Sequence, residues 1–407
     1  MSVYDRPMAR PETTGVGDVR GSSRPADPFP RKGRDLRLDF FRGLSLFFIF
    51  IDHIPNNFLA YFTLRSIAFS DAAEVFIFIS GYTAALVYGR AMSQKGALLA
   101  TAQVYRRVWQ LYVAHIFLFV IFTAEVSYAV LAVNNPMYTE EMGVGDFLTE
   151  PHVAIIKALL LQFQPTFLDI LPLYIALLGI FPLVLLALAR GALWALLPSA
   201  ALYVLTLRLG WALPGYPAGR VWYFNPLAWQ FLFIIGASAG YARVSGRWPF
   251  PHARWLSWVA VGLTAVLIVI NASWGIHWAY DPFPALFEKP LYNFTTDKTN
   301  LAPLRLLNFL ALALATVHFV RPDSAFLRWP VARPIIRCGQ HSLYIFCLGI
   351  LLAVLGHFLL AEFYGTLPMQ IGVNLAGFAA MVGMAAMLAW YKSAGSAGSS
   401  AAARPSE

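Results

Sequence analysis

The sequence predicts an all-α, polytopic membrane protein of about ten transmembrane helices. Three observations carry that prediction. The chain has 407 residues, 58% hydrophobic and only 13% charged, whereas soluble domains carry about 25% charged residues. Apolar runs near the ~20 residues needed to cross a bilayer recur along its length. Lys and Arg crowd alternate loops between those runs, the pattern that sets orientation in a membrane.

Residues 1–33 are rich in Pro, Gly, Ser and Arg and lack the apolar residues of a core, so a disordered cytoplasmic tail is expected there. The start is polar and Pro-rich, unlike a cleavable signal peptide. The membrane domain is expected over 34–392. Its spans are predicted at 38–55, 71–90, 107–133, 169–189, 192–209, 226–243, 255–274, 303–321, 339–360 and 370–391. The third is long and suits a tilted helix. An amphipathic stretch at 153–164 is expected to lie at the outer interface. The Ser/Gly/Ala run at 393–407 reads as a flexible tail.

Loop charges orient this arrangement. One side collects Arg31, Lys32, Arg34 and Arg37, then Arg90, Lys95, Arg106 and Arg107, then Arg321, Arg328, Arg333 and Arg337. The other side holds fewer, with Arg65, Arg208, Arg220, Lys298 and Arg305 among them. The bias predicts both termini in the cytoplasm. A net charge of +9 is therefore read as topology, not as a nucleic-acid surface. Cys338 and Cys347 cannot build a disulfide framework, and their spacing matches no zinc site, so no metal is expected. Two long outer loops, 134–168 and 275–302, are rich in aromatics and acids.

The first span, RLDFFRGLSLFFIFIDHIP, carries Arg42 near one end and Asp52–His53 near the other. Ionisable groups in a membrane segment are costly and mark functional sites by default. On a helix, the 11-residue spacing of Arg42 and His53 is three turns plus about 20°, which puts both on one face about 16 Å apart. Imidazole can take a proton from a hydroxyl near neutral pH. A guanidinium can hold a phosphate or carboxylate in two prongs. The competing reading is a hydrogen-bonded core histidine and a snorkelling arginine. Asp52 points about 100° away from its neighbour His53 and does not orient it directly; it reads either as a structural pair with another helix or as a catalytic group.

Ser70-Asp71-Ala72-Ala73-Glu74 opens the second span. The two acids share a face and sit in the positive first turn of their helix. Asp71 or Glu74 could also hold the second ring nitrogen of His53. Ser80-Gly81-Tyr82 reads as a close-packing point between helices. Trp222, Asn225, Trp229 and Gln230 enter the sixth span from outside. They are either interfacial anchors or a sugar-binding surface. Arg305, with Asn300 and Asn308, opens the eighth span, where it could meet a carboxylate or snorkel. His341, Ser342 and His357 read first as helix-packing residues.

Arg42-x10-His53 followed by FIFISGY (76–82) resembles the membrane acyltransferase-3 superfamily. Gly339 to Tyr344 is a partial match to a late helix of that superfamily. Four segments are more similar to the OpgC-like family of glucan succinyltransferases: 34–57, 69–82, 169–178 and 224–233. The resemblance covers most of 34–390. It implies ten spans in the bacterial inner membrane. It implies transfer of an acyl group, succinyl for this family, from cytosolic acyl-CoA to hydroxyls of osmoregulated periplasmic β-glucan. Acyl-CoA would be a donor substrate and not a resident cofactor. Arg42 would meet CoA phosphates, and His53 would act as base or acyl carrier. A homo-oligomer or a place in a glucan-synthesis complex stays open. A transporter or flippase for a glycan or small anion is the alternative, against which stands the lack of an internal repeat. A scaffold role is the third.

Overall fold

The computed structural model describes residues 35–133, 135, 137–247, 254–274 and 297–402. The expected tail at 1–33 and most of the 275–302 loop lie outside the described residues. Among the described residues, fifteen α-helices follow one another: α1 (Leu36–Asp52), α2 (Leu64–Ile67), α3 (Ala72–Lys95), α4 (Ala97–Val133), α5 (Met137–Glu141), α6 (Gly145–Thr149), α7 (Pro151–Leu159), α8 (Ile170–Arg190), α9 (Ala192–Leu209), α10 (Pro226–Ser245), α11 (Arg254–Trp274), α12 (Pro303–Phe319), α13 (Ala332–Gln340), α14 (Ser342–Glu362) and α15 (Leu367–Ala402). Two 3-10 turns, Phe58–Phe62 and Ala325–Arg328, join them. Among the described residues there is no strand, only isolated bridges from Phe163 to Tyr216 and from Pro214 to Val221. The all-α expectation holds.

A helix occupies each of the ten predicted spans, and seven are long and apolar enough to cross a membrane: α3, α4, α8, α9, α10, α14 and α15. The other three fall short for identifiable reasons. α1 has 17 residues and carries Arg37, Asp39, Arg42 and Asp52. α11 and α12 supply only the shorter apolar stretches Trp255–Asn271 and Pro303–Phe319. The predicted ninth span is interrupted at His341, which separates α13 from α14. α15 continues to Ala402, through residues whose composition suggested a flexible tail.

Local sequence explains where the helices start. Asp35 caps α1 by accepting from the Arg37 N–H. Asp71 and Glu74 form a capping box at α3, each satisfying a backbone N–H that the helix itself cannot. Asn225 caps α10, and Pro226 occupies its first turn, where its missing N–H costs nothing.

Glycines bring the site-bearing helices together. α3 packs along α10; a Cβ on Gly81 would overlap the Phe233 carbonyl oxygen, and one on Gly240 would overlap that of Tyr82. Gly81 thus confirms the expected close-packing point. α1 packs on α13 in the same way, with Gly43 against the Ile335 carbonyl and Gly339 against that of Asp39. Close backbone approach replaces the hydrophobic drive that lipid does not supply. The segment before α8 is tied to α14, since His357 Nε2 lies 3.1 Å from Glu141 Oε2 and Tyr138 donates to Glu362 at 2.5 Å.

Candidate active site

α1 ends at Asp52, and His53 is its C-cap. Both line a cavity of about 800 Å³. Its walls come from the start of α3, the 162–169 segment, the 215–224 loop, Lys298–Thr299 and Arg305. His53 Nδ1 pairs with the Ile49 carbonyl. A carbonyl only accepts, so the proton sits on Nδ1 and Nε2 carries the lone pair. The imidazole also packs edge-to-face on Phe167, with ring centroids 4.3 Å apart at 88°. Phe167 has φ of +73°, a left-handed conformation uncommon for a bulky residue and frequent at functional sites. Asp52 accepts from Thr63 Oγ1 at 2.7 Å.

The acids at the start of α3 do not hold His53. Asp71 pairs with Lys298 Nζ at 2.6 Å and with Arg305 at 3.4 Å. Glu74 takes two bonds from Arg305, at 2.8 and 2.6 Å, and one from the Asp71 N–H at 2.8 Å. Their capping roles pull both carboxylates back over their own helix start, and two cations from distant sequence neutralise them there. The orienting group for His53 is the backbone carbonyl one turn earlier. Burial alone would push the Lys298 ammonium down, but the carboxylates of Asp71 above all and of Glu74 outweigh it and hold it above its ordinary value. Lys298 is therefore held charged on the cavity wall, in its ion pair with Asp71.

The five residues considered for substrate binding separate into two groups. Trp222 and Arg305 line the cavity, although Arg305 is committed to Glu74 and Asp71. Asn225, Trp229 and Gln230 are absent from the lining and serve the fold. Asn225 donates to the Trp211 carbonyl and to Asn300. The Trp229 indole, fully buried, donates to the Lys298 and Thr299 carbonyls. Gln230 is locked to Ser199. The amides and aromatics that do face the cavity include Gln162, Gln164, Tyr216 and Tyr223. Gln164 Oε1 is a buried acceptor with no protein partner. Sequence reasoning passed over Lys298, Phe167, Asp169 and Gln164 as site residues. Gln164 and Phe167 lie in the long 134–168 loop and Lys298 in the 275–302 loop, both rich in aromatics and acids, whereas Asp169 opens the predicted fourth span.

Arg42 does not enter this cavity. It lines a second one of about 210 Å³, together with Thr83, Arg107, Tyr174, Ser342 and Phe346. Its Nη2 donates to Thr83 Oγ1 at 2.8 Å and to the Ile79 carbonyl at 3.3 Å. The first helix thus borders two separate spaces, one carrying Arg42 and Arg107 and the other His53 with Arg65, Arg220 and Arg305.

The family described as OpgC protein matches residues 34–393. No curated protein and no solved structure matches the chain.

Proposed function

Because the chain belongs to the OpgC family, we propose that it is a transmembrane O-acyltransferase that moves an acyl group, succinyl by preference, from cytosolic acyl-CoA to a hydroxyl of a periplasmic β-glucan. Family membership points to a membrane-associated acyltransferase acting on glucans; the donor, the acceptor and the roles below are this reading's own. The observation that carries it is His53, with its Nδ1 proton committed to Ile49, on the wall of a large cavity also faced by Trp222, Tyr223 and Gln164. About 800 Å³ lies within the ~300–1,000 Å³ of ordinary ligand sites, and aromatic faces with amide acceptors suit sugar rings.

In this scheme the CoA phosphates meet Arg42 and Arg107 at the smaller cavity, and the pantetheine arm carries the thioester along α1 toward His53. The glucan hydroxyl oxygen attacks the thioester carbonyl carbon. His53 Nε2 takes the hydroxyl proton, the new C–O ester bond forms, and the C–S bond breaks. The proton then passes from the imidazolium to the CoA thiolate, which leaves as the thiol. Lys298 stabilises negative charge as it develops at the carbonyl oxygen. The same nitrogen could instead carry the acyl group for a moment, and rapid quenching would reveal an acyl-imidazole on that route. In this reading the site sits in the inner membrane, as the family resemblance implies, and the loop charges favour cytoplasmic termini.

The test is mass spectrometry of periplasmic glucans from cells making the wild-type chain or His53→Ala at equal membrane abundance. The wild type adds a mass that names the acyl group, and loss of a general base lowers the rate by about 10²–10⁴. Full modification by His53→Ala removes His53 from the mechanism. Purified wild type that moves a glycan across vesicles but forms no ester from labelled acyl-CoA establishes a transporter instead.

A further inference from the structure

Among the described residues, a single side chain lines both cavities. Phe346 borders the larger space with His53 and the smaller one with Arg42. It is buried in α14, one turn beyond Ser342 and Leu343, which face the smaller space. Two further aromatics extend it into a layer. Phe76 lies 6.3 Å from Phe346 and 6.4 Å from Tyr174, centroid to centroid. Both of these rings belong to the smaller cavity, while Ala73 and Ile170, one turn before them on α3 and α8, belong to the larger. The boundary therefore falls at one level on three helices, and aromatic rings compose it.

We infer that Phe346 is a specificity-determining residue: it closes the passage between the donor and acceptor spaces, and the acyl end of the donor reaches His53 only by displacing its ring. This rests on the acyltransferase reading. A helix turn is 5.4 Å, so an acyl thioester crossing the layer must fit beside Phe76 and Tyr174 where the Phe346 ring stood. Empty volume on either side gives the ring somewhere to go. The layer has a second consequence. While no acyl chain occupies the passage, it keeps water of one compartment from the other, and so limits attack of water on a thioester.

Two experiments test the inference, one without catalysis. Ser342→Cys, in a Cys338→Ser/Cys347→Ser background, places a thiol in the smaller cavity. Vesicles of each orientation are treated with a membrane-impermeant quaternary ammonium methanethiosulfonate. With Phe346 present, one orientation labels. With Phe346→Ala, both orientations label at comparable rates. Labelling from both sides with Phe346 present, or from one side only after Phe346→Ala, overturns the partition whatever the protein's activity.

The second experiment uses the full-length protein in vesicles with a β-glucan acceptor and succinyl-CoA or the longer glutaryl-CoA. Phe346→Ala raises the glutaryl-to-succinyl ratio of kcat/KM at least tenfold and increases acceptor-free hydrolysis. Phe346→Trp lowers kcat for succinyl at least tenfold while KM for the glucan stays put. Phe346→Leu, of intermediate bulk, gives hydrolysis between that of wild type and Phe346→Ala, and equal membrane abundance with an unchanged detergent unfolding midpoint shows that the alanine variant is folded. An unchanged ratio in folded Phe346→Ala, with wild type active, sinks the role of Phe346 alone. Wild type that acylates no glucan from either donor sinks the acyltransferase reading, and with it the specificity role.

Discussion

Arg305→Met is the most direct test of the charge cluster at the start of α3. In the wild type, Glu74 is fully buried and Arg305 supplies two of its hydrogen bonds, at 2.6 and 2.8 Å. After the substitution, Glu74 keeps one donor, the Asp71 N–H at 2.8 Å. Asp71 is less affected, because Lys298 remains 2.6 Å away and the Ala73 N–H remains at 2.7 Å. The loss is therefore that of a buried carboxylate stripped of its partner, about 3–5 kcal/mol. Glu74→Gln attacks the same pair from the other side at lower cost. Arg305 still reaches Asp71 at 3.4 Å, and the glutamine carbonyl still accepts. That variant should lose about 1.5–3 kcal/mol, the worth of hydrogen bonding to a charged group. The double variant should cost less than the sum of the two, because no charge is then left alone. Reversible unfolding in mixed micelles, followed by tryptophan fluorescence against denaturing detergent, ranks the three. Arg305→Met within about 0.5 kcal/mol of wild type, the size of an ordinary surface change, would refute the argument. So would Glu74→Gln costing more than Arg305→Met.

Asn225→Ala should lose about 1–2 kcal/mol, because the side chain caps α10 and anchors Trp211 and Asn300; the KM for glucan should be unchanged, and a raised KM with normal stability would return Asn225 to the binding surface. Gly43→Ala should abolish stable insertion or lower the unfolding midpoint sharply, since the added methyl meets the α13 backbone, whereas Gly179→Ala, with open space around it, should be neutral; membrane abundance and the detergent midpoint decide. Lys298 has its pKa raised on folding. Its stabilising contribution is therefore fully present below the unfolded value, about 10.4, and is lost only as pH rises through the higher folded value. Stability compared at neutral and strongly alkaline pH should show a fall that Lys298→Met lacks, and an identical fall in both proteins would exclude Lys298 as its source.

Sequence by itself determined the membrane class, the helical fold and the places where most helices begin. Each depends on neighbours close in the chain. Apolar runs either reach the length of a bilayer or do not, and Asp71 with Glu74, or Asn225 with Pro226, cap a helix through residues a few positions apart. The Nδ1 partner of His53 is also local, four residues back, yet two nearby-looking acids were the more conspicuous candidates. Their true partners are Lys298 and Arg305, more than 200 residues away along the chain. Only the tertiary structure brings these charges together, because neutralising a buried carboxylate depends on which helix packs against it, and no spacing rule encodes that. The same limit holds for Trp229 and Gln230, whose helix could be placed but whose rotation toward the core could not. It holds most for the line from Arg42 to His53. One helix face joins them in sequence, while the fold gives each its own cavity, with Phe346 of α14 bordering both.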